Sequence, residues 1–480
     1  MLKLKNPETT FFLLLMSTTL LLRVPQLGYS HFYGDETKTL YLDKTVPATK
    51  FFLDQRKGPL QFFVAWGVEK VSGSYDEQWI RLPFALAGVL SVAIFYILIK
   101  KLFNWQTALV SSLLLSFNGL FVAFSRTAQY QSFLILFGFA GLYLYILAVE
   151  KNRRSFSVLS SVCMALAFYF HYDAVFFLVP LLYLFWVYRK ENITRIKEFL
   201  IFFGIPLAVS LALFYGPYVI YGYFQSNTVG YIAKRLSGKE YLVNNSLYTL
   251  FVYNPSFLYF IPLVMPILVF FKQMNYRREM LILWFLVPFI AFQFIILNPG
   301  THIQNYLLPL FIMTGALVYE IFTGIKYFWL RYIYLALIAL FFTLTFTISA
   351  NVYLPVLNNG YPWKNSVIKK DYNLFMYGFP YNRGWDQVRR YFLKTEGARG
   401  IYTNDNDTIA QYYLRELDYT PPGSNFIPQY YVHIYNNQEF RNVPSSMEPY
   451  LADYYTKENE ILIDGETMAV IYKRTQFPTK

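Results

Sequence analysis

Apolar residues run in long blocks over the first 350 positions, and short charged clusters separate the blocks. About 20 consecutive apolar residues suffice to cross a bilayer core as a helix. About eleven transmembrane helices are therefore expected, near 11–28, 82–99, 107–124, 132–149, 156–170, 174–187, 200–221, 251–271, 281–297, 306–323 and 329–348. No small-residue cleavage site follows the first block, which reads as a retained helix. The segment from about Ser30 to Arg81 is too long for a mere connector. Within it, Gly58 to Val68 carries Phe62, Phe63 and Trp66 but is too short to span, so an interfacial helix is expected there. Beyond about Asn351 the pattern breaks into short pieces with turn signals at Asn358-Asn359-Gly360 and Pro421-Pro422-Gly423. Helices over 385–394 and 408–417 and strands over 400–403, 430–435 and 468–473 are predicted, which makes a small α/β domain. The chain thus divides into a membrane part, 1–350, with an outer loop over 30–81, and a C-terminal domain, 351–480.

Composition supports this division. Charged residues make up 15% of the chain, against about 25% in soluble domains. Hydrophobic residues make up 55%, which excludes intrinsic disorder as well as an ordinary soluble enzyme. The net charge of +13 fits nucleic acid, anionic lipid or a topology signal, and its placement decides among them. With the N-terminus inside, the inward ends hold Lys100-Lys101, Arg153-Arg154, Arg189-Lys190, Arg277-Arg278, Lys326 and Arg331. The outward connection near His171 holds no Lys or Arg, and the one near Ser125 holds Arg126 alone. This asymmetry obeys the positive-inside rule and places the C-terminus outside after an odd number of spans. Nucleic acid therefore drops out as a partner. The single cysteine, Cys163, leaves an external domain without an internal disulfide.

The candidate chemistry collects at the outward ends. Asp35-Glu36 follows the first block, Lys57 precedes the interfacial helix, Arg81 opens the second span and Arg126 closes the third. A carboxylate at a low-dielectric boundary can act as a base, and lysines and arginines at headgroup level suit a phosphate. Taken singly, each has an ordinary explanation: acidic residues start solvated loops, and Lys and Arg snorkel to headgroups. His171, Asp173 and His302 also face outward and, with the acidic pair, offer ligands suited to a divalent metal. Asp173 equally serves as a helix N-cap. Asp405-Asn406-Asp407 spells Asp-x-Asp, but its place between a strand and a helix favours capping. Tyr430 to Tyr435 suits either a sugar-stacking surface or an aromatic core strand.

The order of these pieces resembles the GT-C superfamily of membrane glycosyltransferases, in particular the protein O-mannosyltransferase and aminoarabinose transferase group (glycosyltransferase family 39). The resemblance rests on Arg23, Asp35-Glu36, Lys57-Gly58-Pro59-Leu60, Arg81-Leu82-Pro83-Phe84-Ala85 and Tyr306-Leu307-Leu308-Pro309. It covers roughly Phe11 to Thr323. Gly58 stands where relatives carry a first proline, and His302 to Tyr306 lacks the basic residue that many relatives place nearer the tyrosine. The resemblance implies a polytopic helical GT-C fold in the plasma or inner membrane with its active site on the extracytoplasmic side. It further implies an inverting transfer of a sugar from a polyprenyl-phosphate carrier to a hydroxyl of a protein, lipid or cell-envelope glycan. Asp35 would then be the base, Glu36 would orient the acceptor or a cation, and Lys57, Arg81 and Arg126 would bind the carrier phosphate. His171, His302 and Tyr306 would contribute more weakly to substrate binding. No cofactor is required by the resemblance, since some relatives hold a divalent metal and others need none. A transporter or flippase for a sugar-lipid is the alternative, but it would bury charge at mid-membrane, where these blocks hold almost none.

Overall fold

The structure, a computed structural model, describes residues 7–189, 194–237, 250, 253–254, 256–266, 274–297, 302–357, 378–417, 419, 428–435, 451 and 453–475. The expected turns at 358–360 and 421–423, and residues 251–252, 255 and 267–271 of the block over 251–271, lie outside the described residues. Six described helices are long and apolar enough to cross a membrane: Glu77–Leu102, Gln131–Lys151, Arg195–Ile220, Tyr276–Ile295, Gln304–Gly324 and Phe328–Tyr353. We label the helices of the first part α1 (Pro7–Arg23), α2 (Ala48–Leu53), α3 (Leu60–Ser72), α4 (Glu77–Leu102), α5 (Trp105–Phe117), α6 (Gly119–Ser125), α7 (Gln131–Lys151), α8 (Arg154–Phe170) and α9 (Val175–Arg189). The expected spans over 156–170 and 174–187 correspond to the shorter apolar helices α8 and α9, and the one near 11–28 corresponds to α1.

The block over 107–124 is not one straight helix. It breaks into α5 and α6 with a bend of 66°, and this pair makes a seventh span if counted as one. Asn118 makes the break. Its backbone leaves the helical region, and its Oδ1 accepts the Leu120 N–H at 3.0 Å, which caps the new helix. Its amide nitrogen donates to the Tyr259 hydroxyl at 2.7 Å, so the buried side chain is satisfied on both sides. Glycine lets α6 begin here, because a Cβ at Gly119 would run into the Tyr253 carbonyl. The bend carries Ser125 and Arg126 to the end of α1, where Arg23 donates to Ser125 Oγ at 3.2 Å and to the Ser116 carbonyl at 2.9 Å.

Helices α4, α5 and α7 form the centre, with α1 against α4 and α5, α8 against α7, and Gln304–Gly324 against α5. Small residues allow the closest approaches. Ser160 Oγ of α8 donates to the Gly141 carbonyl of α7 at 2.7 Å.

The segment between α1 and α4 lies over one face of this bundle. It holds a 3-10 turn, Gly34–Thr39, then α2 and α3, the latter close to the expected interfacial helix. Past the long helix Phe328–Tyr353 comes a four-stranded sheet of β1 (Ile401–Thr403), β2 (Tyr430–Ile434), β3 (Tyr455–Ile463) and β4 (Glu466–Arg474), in the order β1-β2-β4-β3. β1 runs parallel to β2 and the other pairs are antiparallel. The helices Trp385–Lys394 and Asp407–Tyr413 accompany the sheet. β3 was not expected from the sequence. It is an edge strand with most of its residues exposed, so Lys457, Glu458, Asn459 and Glu460 hide the apolar alternation that marks a strand. Tyr430 and Tyr431 are buried in β2, as an aromatic core strand requires.

Candidate active site

The acidic pair separates into two different environments. Tyr33 starts the 3-10 turn in extended conformation, and its N–H donates to Glu36 Oε2 at 3.0 Å. Glu36 is fully buried. Arg81 grips it with Nε to Oε1 at 2.9 Å and Nη2 to Oε2 at 2.8 Å, and the Ala128 N–H adds a bond to Oε1 at 2.8 Å. This bidentate geometry is what makes Arg, and not Lys, effective against a buried carboxylate. Arg81, 2% exposed, also donates to the carbonyls of Leu27, Ser30 and His31 at 2.7, 2.6 and 2.9 Å. One guanidinium thus ties α4 to the start of the loop and, through Glu36, to the α6–α7 connection.

Asp35 points the other way and remains about one-third exposed. Its Oδ1 lies 2.6 Å from Lys38 Nζ and its Oδ2 lies 3.5 Å from Lys57 Nζ. Burial alone would push this carboxyl up, but the Lys57 and Lys38 ammoniums outweigh it and hold it well below the usual carboxylate range. Lys57 is placed by its neighbour Gly58, whose φ of +120° lies in a region closed to other residues. A Cβ there would strike the Tyr169 carbonyl. Proline, with φ near −65°, could not adopt this conformation, so the departure from the family pattern at Gly58 has a steric consequence.

Lys57 Nζ also lies 5.3 Å from the Tyr130 ring centroid, and Tyr130 leads to a third group of residues. The Tyr130 ring stacks on His171 at 3.8 Å, and its hydroxyl lies 3.2 Å from His302 Nδ1. His302 Nδ1 is 2.7 Å from Asp173 Oδ2, which also accepts from Gln304 Nε2 at 2.9 Å and Asn305 Nδ2 at 3.0 Å. Burial pushes the His171 imidazole down to about 3, so it is neutral at physiological pH. The ligand atoms of His171, Asp173 and His302 fall within 4.8 Å of one another, and this donor set of two imidazoles and a carboxylate suits Zn²⁺. Neither Asp35 nor Glu36 joins them, contrary to the expectation of a shared site. Asp173 already has four polar neighbours on its carboxylate, so the trio reads as a hydrogen-bonded network that fastens α8 and α9 to the helix Gln304–Gly324.

His302 and Asp173 also line a cavity of about 500 Å³ whose walls are mostly aromatic and aliphatic. Arg56 and Arg235 stand in its lining beside Tyr231, with guanidinium carbons 3.4 and 4.9 Å from that ring centroid. Such stacking holds a cation at an apolar wall while leaving N–H groups for an anion.

The structure therefore brings Asp35, Lys57, His171 and His302 together, with Tyr130 as the link. Arg126 and Tyr306 stand apart. Arg126 is buried and reaches the Leu22 and Arg23 carbonyls at 3.3 Å, which ties the end of α6 to the end of α1. Tyr306 packs edge-on against Phe285 and Phe289, and its hydroxyl accepts from Gln293 at 3.4 Å. Sequence reasoning did not single out Arg56, Tyr130, Tyr231 or Arg235. Arg56 and Tyr130 adjoin Lys57 and the Ser125–Ala128 stretch, which is the signal that could have found them.

Residues 56–219 match the family model described as dolichyl-phosphate-mannose-protein mannosyltransferase. No curated protein matches the sequence significantly. Among solved structures, the chain is similar to ArnT from Cupriavidus metallidurans bound to undecaprenyl phosphate, with a TM-score of 0.58 and 14% identity over 96% of this chain and 98% of that one. The apo state of the same protein gives a TM-score of 0.57 at the same identity and coverage. An Archaeoglobus fulgidus oligosaccharyltransferase, in complex with Zn and sulfate, gives 0.50 at 14% identity over 87% of this chain and 58% of that one. The chain has the GT-C fold.

Proposed function

We propose that this GT-C chain is an inverting glycosyltransferase that moves a sugar from a polyprenyl-phosphate carrier to a hydroxyl acceptor on the outer face of the membrane. The observation that carries the reading is a carboxylate and an ammonium 3.5 Å apart, with Lys57 next in the chain to Arg56, which lines an apolar cavity of about 500 Å³. A polyprenyl chain suits the aromatic and aliphatic walls, and its phosphate suits the adjoining cations Arg56, Arg235 and Lys57. In the displacement the acceptor O–H gives its proton to Asp35, and the acceptor oxygen bonds to the anomeric carbon. The bond from that carbon to the phosphate oxygen breaks, and its electron pair leaves on the carrier phosphate. One base suffices for such an in-line step, and the cations stabilise the charge that develops on the leaving group.

Lys57 links binding to basicity. Without a carrier its ammonium faces Asp35 and suppresses the carboxylate as a base. A phosphate at Lys57 competes for that ammonium and returns basicity to Asp35 when the donor is present. Glu36 and Arg81, with their polar atoms engaged by each other and by the backbone, serve as the brace that positions Asp35. In this reading Arg81 is not a phosphate ligand, and Glu36 orients neither acceptor nor cation. The acceptor class is a protein, lipid or cell-envelope glycan hydroxyl.

Lys57→Gln tests the reading. Loss of a charge-assisted contact of about 1.5–3 kcal/mol should weaken donor use by roughly 10- to 100-fold. The Asp35 carboxyl, freed from its main ammonium, should titrate at higher pH, so the acid limb of the kcat/KM profile should move upward. Kinetics across pH in reconstituted vesicles check both effects. An unmoved acid limb with unchanged donor KM would remove Lys57 from this role.

A further inference from the structure

The C-terminal domain does more than follow the last helix. Its residues grip the loop on both sides of Asp35. The Arg383 N–H donates to His31 Nδ1 at 3.1 Å, and its guanidinium donates to the Phe32 carbonyl. The Tyr413 hydroxyl accepts the Phe32 N–H at 2.8 Å and itself donates to Glu77 at the start of α4. On the far side of Asp35, Thr37 Oγ1 donates to Thr408 Oγ1 at 3.0 Å. His31 packs edge-on against Tyr413, and Phe32 packs edge-on against Tyr412.

The centre of this seam is a buried ion pair within the domain. Arg383 Nη1 lies 3.3 and 3.1 Å from the two carboxylate oxygens of Asp405, and the Trp385 indole N–H donates to Asp405 Oδ2 at 2.8 Å. Both charged side chains are almost fully buried. Asp405 belongs to the Asp-Asn-Asp stretch, and the three residues have separate duties. Asn406 caps the helix Asp407–Tyr413 by accepting the Thr408 N–H at 3.0 Å, and Asp407 accepts from Tyr419. Asp405 alone turns inward, and it aims Arg383 at the loop.

We propose that Arg383, aimed by Asp405, is a positioning residue for the base Asp35, so that the C-terminal domain is a working part of the active site. The proposal rests on the transferase reading for its kinetic consequence, while its geometric content stands on the seam itself. The buried pair holds the guanidinium at the Phe32 carbonyl, and Tyr413 joins Phe32 to Glu77 at the start of α4, which together give the loop one position relative to α4. A shift of about 1 Å at a reacting group can lower turnover by about 100-fold.

The test uses the full chain in lipid nanodiscs and two variants, Arg383→Ala and Asp405→Asn. The second keeps side-chain size and an acceptor for Trp385, so it decides the matter if the first loosens the domain. Hydrogen exchange is read at the Glu36 and Leu40 amides, which donate to the Tyr33 and Thr37 carbonyls, with amides of β4 as the internal reference. We expect loop amides to exchange on the order of tenfold faster or more while β4 amides hold. We also expect kcat to fall by about 100-fold with the KM for lipid-linked donor within twofold, and Arg383→Lys to recover part of the loss. Unchanged loop exchange in both variants overturns the proposal, as does faster exchange with unchanged kcat. Absence of any sugar transfer by the wild-type chain would instead strike the transferase reading, and the exchange arm would still decide whether the domain holds the loop.

Discussion

Asp35→Asn is expected to reduce sugar transfer by roughly 100- to 10,000-fold, the range contributed by a positioned general base. The amide keeps the shape of the carboxylate but takes no proton from the acceptor hydroxyl. Its structural cost should be small, because Asp35 is about one-third exposed and its two partners, Lys38 and Lys57, lie at the surface or half-buried. Membrane insertion, detergent stability and carrier binding should therefore be retained, and donor affinity should hold or rise as Lys57 loses its competitor. The measurement is a single-turnover rate alongside binding of the carrier alone. Normal turnover in this variant would sink Asp35 as the base.

Arg81→Ala should have the opposite profile. It leaves Glu36, fully buried, with two backbone N–H groups and no counter-charge, and it strips donors from the carbonyls of Leu27, Ser30 and His31. Removing one partner of a buried pair typically costs about 3–5 kcal/mol, a large share of a protein's net stability. The loop between α1 and α4 should become open to limited proteolysis and the unfolding temperature should drop. Arg81→Lys should rescue little, because an ammonium cannot reproduce the fork that spans both Glu36 oxygens. A variant as stable as wild type that loses only carrier affinity would return Arg81 to the phosphate-ligand role expected from the sequence.

That contrast marks where the sequence was legible. The long apolar helices and the short helix α3 follow from hydropathy, because burial in lipid requires long apolar runs. Asp35 and Lys57 were readable because motif order carries them. Arg81 was expected to bind the carrier phosphate and instead pairs with Glu36, because a cation at a helix start looks the same whether it faces a phosphate or a carboxylate. Its partner, 45 residues away in the chain, appears only in three dimensions. The bend at Asn118 is invisible to a hydropathy window, since a single buried amide scarcely lowers the mean of its neighbours. β3 was concealed by the charges of an exposed edge. Arg383 left no local signal, because its role depends on His31 and Phe32 more than 350 positions earlier. The polar residues of the candidate site were thus marked by the sequence, and the contacts that hold them were largely illegible.

A transferase moves the sugar from its carrier to an acceptor, whereas a flippase moves the intact sugar-lipid. The most direct measurement reconstitutes the full chain in vesicles with polyprenyl phosphates charged with labelled sugars and a mixture of hydroxyl acceptors. It follows both the sugar and the released carrier phosphate. A transferase should leave label on an acceptor together with an equal amount of free polyprenyl phosphate, both lost in Asp35→Asn. Movement of intact sugar-lipid across the bilayer, with no free carrier and no labelled acceptor, would contradict the transferase reading.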